Sequence, residues 1–97
     1  MRLVLRRQAK GDLREAFQWY EERQSGLGLS FLTSVDLTLS SIREHPLMYP
    51  RVNPEVRRAS VASPYPFGIF YRIDGDTIRV IAILHNARNP EVWKRRK

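Results

Sequence analysis

Apolar positions along the 97-residue chain follow two periods, one before and one after a proline-punctuated stretch near residue 50. Leu3 and Leu5 alternate with Arg2 and Arg6, which predicts a first strand over residues 2–7. Gln8-Ala9-Lys10-Gly11-Asp12 interrupts that alternation. From Asp12 the apolar positions Leu13, Ala16, Phe17 and Tyr20 fall at i, i+3, i+4 and i+7, the stripe of an amphipathic helix. Glu15, Gln18, Glu21, Glu22 and Arg23 occupy the other face. Ser25-Gly26-Leu27-Gly28 forms the turn, with Gly26 suited to a left-handed helix end. Phe31, Leu32, Val35, Leu39 and Ile42 then repeat at helical spacing as far as His45-Pro46, where the proline biases His45 away from helix. Two such helices joined by a short glycine turn predict an antiparallel helical hairpin.

Pro46, Pro50 and Pro54 mark a loop over Leu47 to Glu55, and beyond it the period becomes strand-like. Val56, Ala59 and Val61 lie in one short run. Phe67-Gly68-Ile69-Phe70-Tyr71-Arg72-Ile73 forms a second, rich in aromatic and β-branched residues. Asp74-Gly75-Asp76 is a hairpin turn, because Asp-Gly tolerates the positive φ that tight turns demand. Thr77 to Leu84 is almost continuously apolar, the mark of a central strand covered on both faces. Asn89 caps a last helical turn through Trp93, with Pro90 at its first position. The predicted architecture is α+β. It runs β-α-α-β-β-β with a short C-terminal helical turn, a helical hairpin packed on one face of a small curled antiparallel sheet. The other sheet face is expected to be free for function. The whole of residues 1–97 is expected to form one domain, and the basic run Lys94 to Lys97 is expected to be mobile.

Charge sharpens this picture. The net charge is +7, and residues 1–50 contribute +1 against +6 from residues 51–97. That asymmetry favours an anionic partner: nucleic acid, a nucleic-acid-bound enzyme or an acidic polypeptide. There is no cysteine, hence no disulfide framework and no thiolate metal site, which suits a cytoplasmic protein. No stretch reaches the roughly 18 consecutive apolar residues of a membrane helix. The opening Met1 to Arg7 lacks the apolar core of a secretory leader, so none is expected. Two isolated histidines do not suggest a metal, and Gly26-Leu27-Gly28 lies between helices, not in a phosphate loop. No cofactor is expected.

Several segments together resemble the ParE branch of the ParE/RelE toxin superfamily. They are Ala9…Asp12-Leu13…Ala16…Trp19-Tyr20-Glu21, Gly26-Leu27-Gly28…Phe31-Leu32 and Ile42…His45-Pro46…Tyr49-Pro50. Arg57-Arg58-Ala59, Tyr65-Pro66-Phe67 and Ile69…Tyr71-Arg72 continue the likeness. The most specific segment is His85…Arg88-Asn89-Pro90…Trp93 at the end of the last strand. The resemblance implies the toxin half of a type II toxin–antitoxin system. It further implies a cognate antitoxin whose C-terminal segment wraps the toxin in a hetero-oligomer, up to a heterotetramer. Operator DNA would be reached through that antitoxin alone. ParE toxins poison DNA gyrase, whereas RelE relatives cut messenger RNA in the ribosome.

Chemistry separates these branches. Cutting RNA requires a group to deprotonate the ribose 2′-OH, another to protonate the leaving oxygen, and cations for the phosphorane. The stretch Ala59-Ser60-Val61-Ala62-Ser63 offers no lysine, histidine or carboxylate. Trp93 cannot act as a base, and Arg88 stays protonated. His85 is left as the one proton shuttle, so a non-enzymatic toxin acting by binding is favoured; His85 with Arg88 remains the alternative catalytic pair. Arg58, His85, Arg88 and Trp93 are the target-contact candidates, although His85 and Trp93 also suit structural roles. Arg57 and Arg58 are adjacent, so on a strand they face opposite ways. Leu13, Phe17, Trp19 and Tyr20 are the antitoxin-contact candidates. That stripe is core first, with Trp19 widening it into an apolar strip on which an amphipathic partner helix could lie.

Overall fold

The computed structural model describes residues 1–97. β1 (Arg2–Leu5) leads into α1 (Arg7–Arg23) and α2 (Leu27–Glu44). A loop follows, then β2 (Arg57–Ser60), β3 (Phe67–Asp74), β4 (Thr77–His85) and the single turn α3 (Glu91–Lys94). The four strands form one sheet in the order β1-β4-β3-β2. β2, β3 and β4 are an antiparallel meander, while β1 joins the outer side of β4 in parallel, so the sheet is mixed. The chain can reach that position because the helical hairpin and two strands intervene between β1 and β4, as a parallel pairing requires.

The first helix starts earlier than its apolar stripe suggests. Ala9 is fully buried and sits one turn before Leu13, and the Lys10 amide donates to Arg6 O at 3.0 Å. The stretch that interrupts the strand pattern is thus the first turns of α1, and β1 is correspondingly short. Between the helices Gly26 takes φ +88°, as the turn demands. Glu21 reaches over it: its carboxylate accepts the Gly26 amide at 3.0 and 3.1 Å and the Gly28 amide at 3.0 Å. These are the unpaired N–H groups at the start of α2, where negative charge is favourable.

The hairpin face of the sheet carries the larger core. Phe31, Val35 and Ile42 of α2 are fully buried with Ala59, Ile69, Tyr71, Ile78 and Val80. Tyr71 donates its O–H to Pro46 O at 2.6 Å, tying the loop after α2 to the sheet. Burial pushes the Tyr71 phenol up to about 12; the nearby Arg57 guanidinium opposes this and Tyr49 adds to it.

The opposite face is not left open. Val56, Phe70, Ile81, Ala82 and Leu84 are buried there under Trp93 of α3, whose ring stacks on Phe70 with centroids 5.3 Å apart. Asn89 helps to set α3, its side-chain oxygen accepting the Glu91 amide at 2.9 Å. Nor does the basic run beyond Trp93 behave as a solvated tail. Arg96 turns back to Asp12 of α1, at 2.5 Å and 3.1 Å, and donates to Ile81 O at 3.2 Å. Its own carbonyl accepts Arg6 at 2.7 Å, and Lys97 O accepts Arg72 at 3.0 Å. The reason lies in the length of β1. Its last amide link to β4 is Arg6 N–H to Val80 O, so beyond that point the outer edge of β4 has no strand partner. Asp12 accepts the Ile83 amide at 3.0 Å and Arg96 supplies the donor for Ile81 O. Together these two side chains replace the missing strand.

Candidate functional site

Beside that closed edge, a cavity of about 390 Å³ opens between α1 and the ends of β3 and β4. Its floor is Ala16, Tyr20 and Phe67, and Trp19 and His85 stand at its walls with Glu15 and Arg88. The α1 residues involved, Asp12, Glu15, Ala16, Trp19 and Tyr20, again follow helical spacing. This second stripe is displaced from the core stripe by about one position. The aromatic rings form a continuous chain of contacts. Trp19 meets Tyr20 edge-on at 5.1 Å, Tyr20 lies 6.1 Å from Phe67, and Phe67 meets His85 edge-on at 5.3 Å.

Trp19 is 51% exposed, yet its ring is held in place. The Arg23 guanidinium sits 3.7 Å from the ring centroid, while its Nη1 donates to Trp19 O at 3.3 Å. Burial raises the Tyr20 phenol above its ordinary value, and the neighbouring Tyr65 adds to that. His85 Nδ1 accepts the Ala87 amide at 3.0 Å, which orients the imidazole and the turn that carries Arg88.

The sequence candidates are thereby regrouped. Trp19 and Tyr20, assigned to the antitoxin, share one cavity with His85 and Arg88, assigned to the target. Leu13 and Phe17 stand outside its lining. Leu13 packs on the hairpin core, and Phe17 closes on Gly28, where an added Cβ would come within 2.8 Å of its ring. Arg58 lies on the other side of the sheet, over Gly68 and 5.8 Å from the Phe70 ring centroid. Trp93 is buried on that same face as the anchor of α3. Glu15 and Asp12 were missed by sequence reasoning. Glu15 carried a signal, since it precedes Trp19 by four residues and so shares its face of α1. Asp12 carried none, because its role depends on a strand edge 71 residues away.

The family described as the ParE toxin of type II toxin–antitoxin systems, parDE, matches residues 3–90. No curated protein matches the chain. Among solved structures, a chain of the chromosomal ParDE toxin–antitoxin system from P. aeruginosa is similar, with a TM-score of 0.70 and 20% identity. The alignment covers 88% of this chain and 95% of that one. At that identity the likeness shows the fold alone.

Proposed function

The chain belongs to the ParE toxin family of type II toxin–antitoxin systems, and on that premise we propose that it acts without catalysis, by binding DNA gyrase, until an antitoxin occupies the cavity beside α1. One observation carries this reading. The cavity brings Trp19 and Tyr20 together with His85 and Arg88, so a partner side chain seated on the aromatic pair also covers the histidine and arginine. Neutralisation then follows from occlusion. A bulky apolar side chain buried there contributes about 1.5–3 kcal/mol to binding. Arg88, exposed and without an ion-pair partner, is placed to take a carboxylate from the same partner segment. In the absence of antitoxin, His85 and Arg88 are free for the target.

The test uses the purified protein in a gyrase supercoiling assay, with and without the antitoxin encoded beside it. Inhibition is expected, relieved by stoichiometric antitoxin and weakened by Arg88→Ala. A protein that leaves supercoiling and DNA cleavage untouched over a wide concentration range sinks the gyrase assignment. Trp19→Glu is expected to weaken antitoxin binding about tenfold or more, as loss of a central aromatic anchor does. Unchanged affinity would move the antitoxin site away from this cavity.

A further inference from the structure

Six arginines of this chain are half-buried, and three of them are neutralised by carboxylates within the fold. Arg72, Arg79 and Arg96 pair with carboxylates. Arg6 and Arg57 donate to backbone carbonyls. Of the three without a carboxylate, Arg58 alone is held through both terminal nitrogens by side chains. It lies across the sheet against Gly68, where an added Cβ would come within 2.5 Å of its Nε, so the absence of a side chain there makes its bed. Its Nη1 donates to Ser60 Oγ at 2.8 Å and its Nη2 to Asn86 Oδ1. Both partners are neutral side chains, and each terminal nitrogen keeps one N–H free. A positive group fixed at both ends with no counter-ion is organised to receive an anion.

The surroundings indicate which anion. Phe70 lies beside Arg58, Trp93 stacks on Phe70, and the Lys94 ammonium sits 5.9 Å from the Trp93 ring centroid. Cations thus flank a buried aromatic pair. Phe70 and Trp93 are only 7% and 6% exposed, and none of the large exposed apolar side chains belongs to β2, β3, β4 or α3. This face therefore offers charge without an apolar anchor. A peptide partner draws most of its affinity from such anchors, whereas a phosphodiester backbone is held by cations alone. The planar guanidinium fork fits two oxygens of one phosphate. We propose that Arg58, positioned by Ser60, Asn86 and Gly68, is a phosphate-binding site for DNA, on the sheet face opposite the cavity. It deepens the gyrase reading, on which its biological setting rests, by making the DNA held by that enzyme a direct contact of the toxin.

The experiment is equilibrium binding of the purified chain to a fluorescently labelled duplex DNA, followed by anisotropy across a salt series. Arg58→Gln is expected to weaken binding several-fold. It should also reduce the slope of log K against log salt by about one, as loss of one phosphate contact does. Arg43→Gln removes the same charge from the exposed end of α2 and should leave most of the affinity. Asn86→Ala keeps the charge but loosens the fork, and is expected to fall between the two, which covers the case in which Arg58→Gln disturbs folding. Equal effects of Arg58→Gln and Arg43→Gln would overturn the proposal, since net charge would then suffice. It would equally be overturned if an acidic peptide competed for Arg58 more strongly than DNA, or if the unaltered protein failed to bind DNA. Gyrase is absent from this assay. A failure here therefore leaves gyrase inhibition to stand on its own, and a failure of gyrase inhibition leaves the DNA measurement intact.

Discussion

The two faces of the sheet are closed by different means. On the hairpin side, two long helices lay down overlapping apolar stripes, and Phe31, Val35 and Ile42 are buried in one cluster with residues of β2, β3 and β4. On the other side a four-residue helix contributes one tryptophan, and the neighbouring strand edge is finished by an ion pair. The first face distributes its stabilisation over many contacts of similar size. The second concentrates it in Trp93, Asp12 and Arg96. Loss of one contact should therefore weaken the first face in proportion to buried volume, while on the second it should release a whole segment.

The largest effect that tests this contrast is Phe31→Ala. It empties the centre of the aromatic group formed with Tyr20, Tyr65 and Phe67, and should cost about 3–5 kcal/mol by denaturant unfolding. Asp12→Ala comes next. It strands the Arg96 charge and the Ile83 amide, and an expected loss of about 2–4 kcal/mol follows from breaking a largely buried pair. Adding Arg96→Met to Asp12→Ala should restore part of that loss, with a coupling of about 1 kcal/mol or more in the double-mutant cycle. Additive single effects would show that the two side chains do not act as one closure.

Alkaline titration separates the faces again. Tyr71, under the hairpin, holds its proton up to about 12 in the fold, against 10.0 for a free tyrosine. Its contribution is complete below pH 10.0 and is lost as pH rises towards 12, because the unfolded chain releases its proton first. Unfolding measured through that window should show falling stability, and Tyr71→Phe should flatten the fall. The smallest effect is expected at Trp19. Trp19→Ala should alter stability by no more than about 0.5 kcal/mol, since its ring is half-exposed and lies outside both cores. A larger loss would make Trp19 part of the hairpin core and not of a binding cavity.

The same contrast governs what could be read from the sequence. Helical periodicity disclosed the hairpin, aromatic and β-branched content disclosed β3, and the almost continuously apolar run placed β4 in the middle of the sheet. Each pattern is local, and each concerns the face that burial of apolar area dictates. The thin face was misjudged because its closure is not periodic. Nothing in Lys94-Arg95-Arg96-Lys97 distinguishes Arg96 from its neighbours until the short β1 leaves Ile81 and Ile83 without partners. The early start of α1 was hidden for a similar reason. Gly11 and Lys10 read as a break, yet Ala9 belongs on the buried side of the helix. Of the candidate site, Trp19, Tyr20, His85 and Arg88 were chosen singly, but their meeting in one cavity depends on how β4 is bent.

That bend is an added residue in β4. Tyr71 faces Val80 and Phe70 faces Ala82, so Ile81 has no opposite number on β3. Counting alternate positions from Ile78 and Val80, both under the hairpin, would send His85 to the far side of the sheet beside Arg58. The supernumerary isoleucine shifts the phase of everything after it, so His85 instead pairs with Phe67 and points towards α1. One uncounted residue thus sorts two basic groups onto opposite sides of a single layer. A protein of this size thereby acquires a front and a back that present different side chains to the solvent.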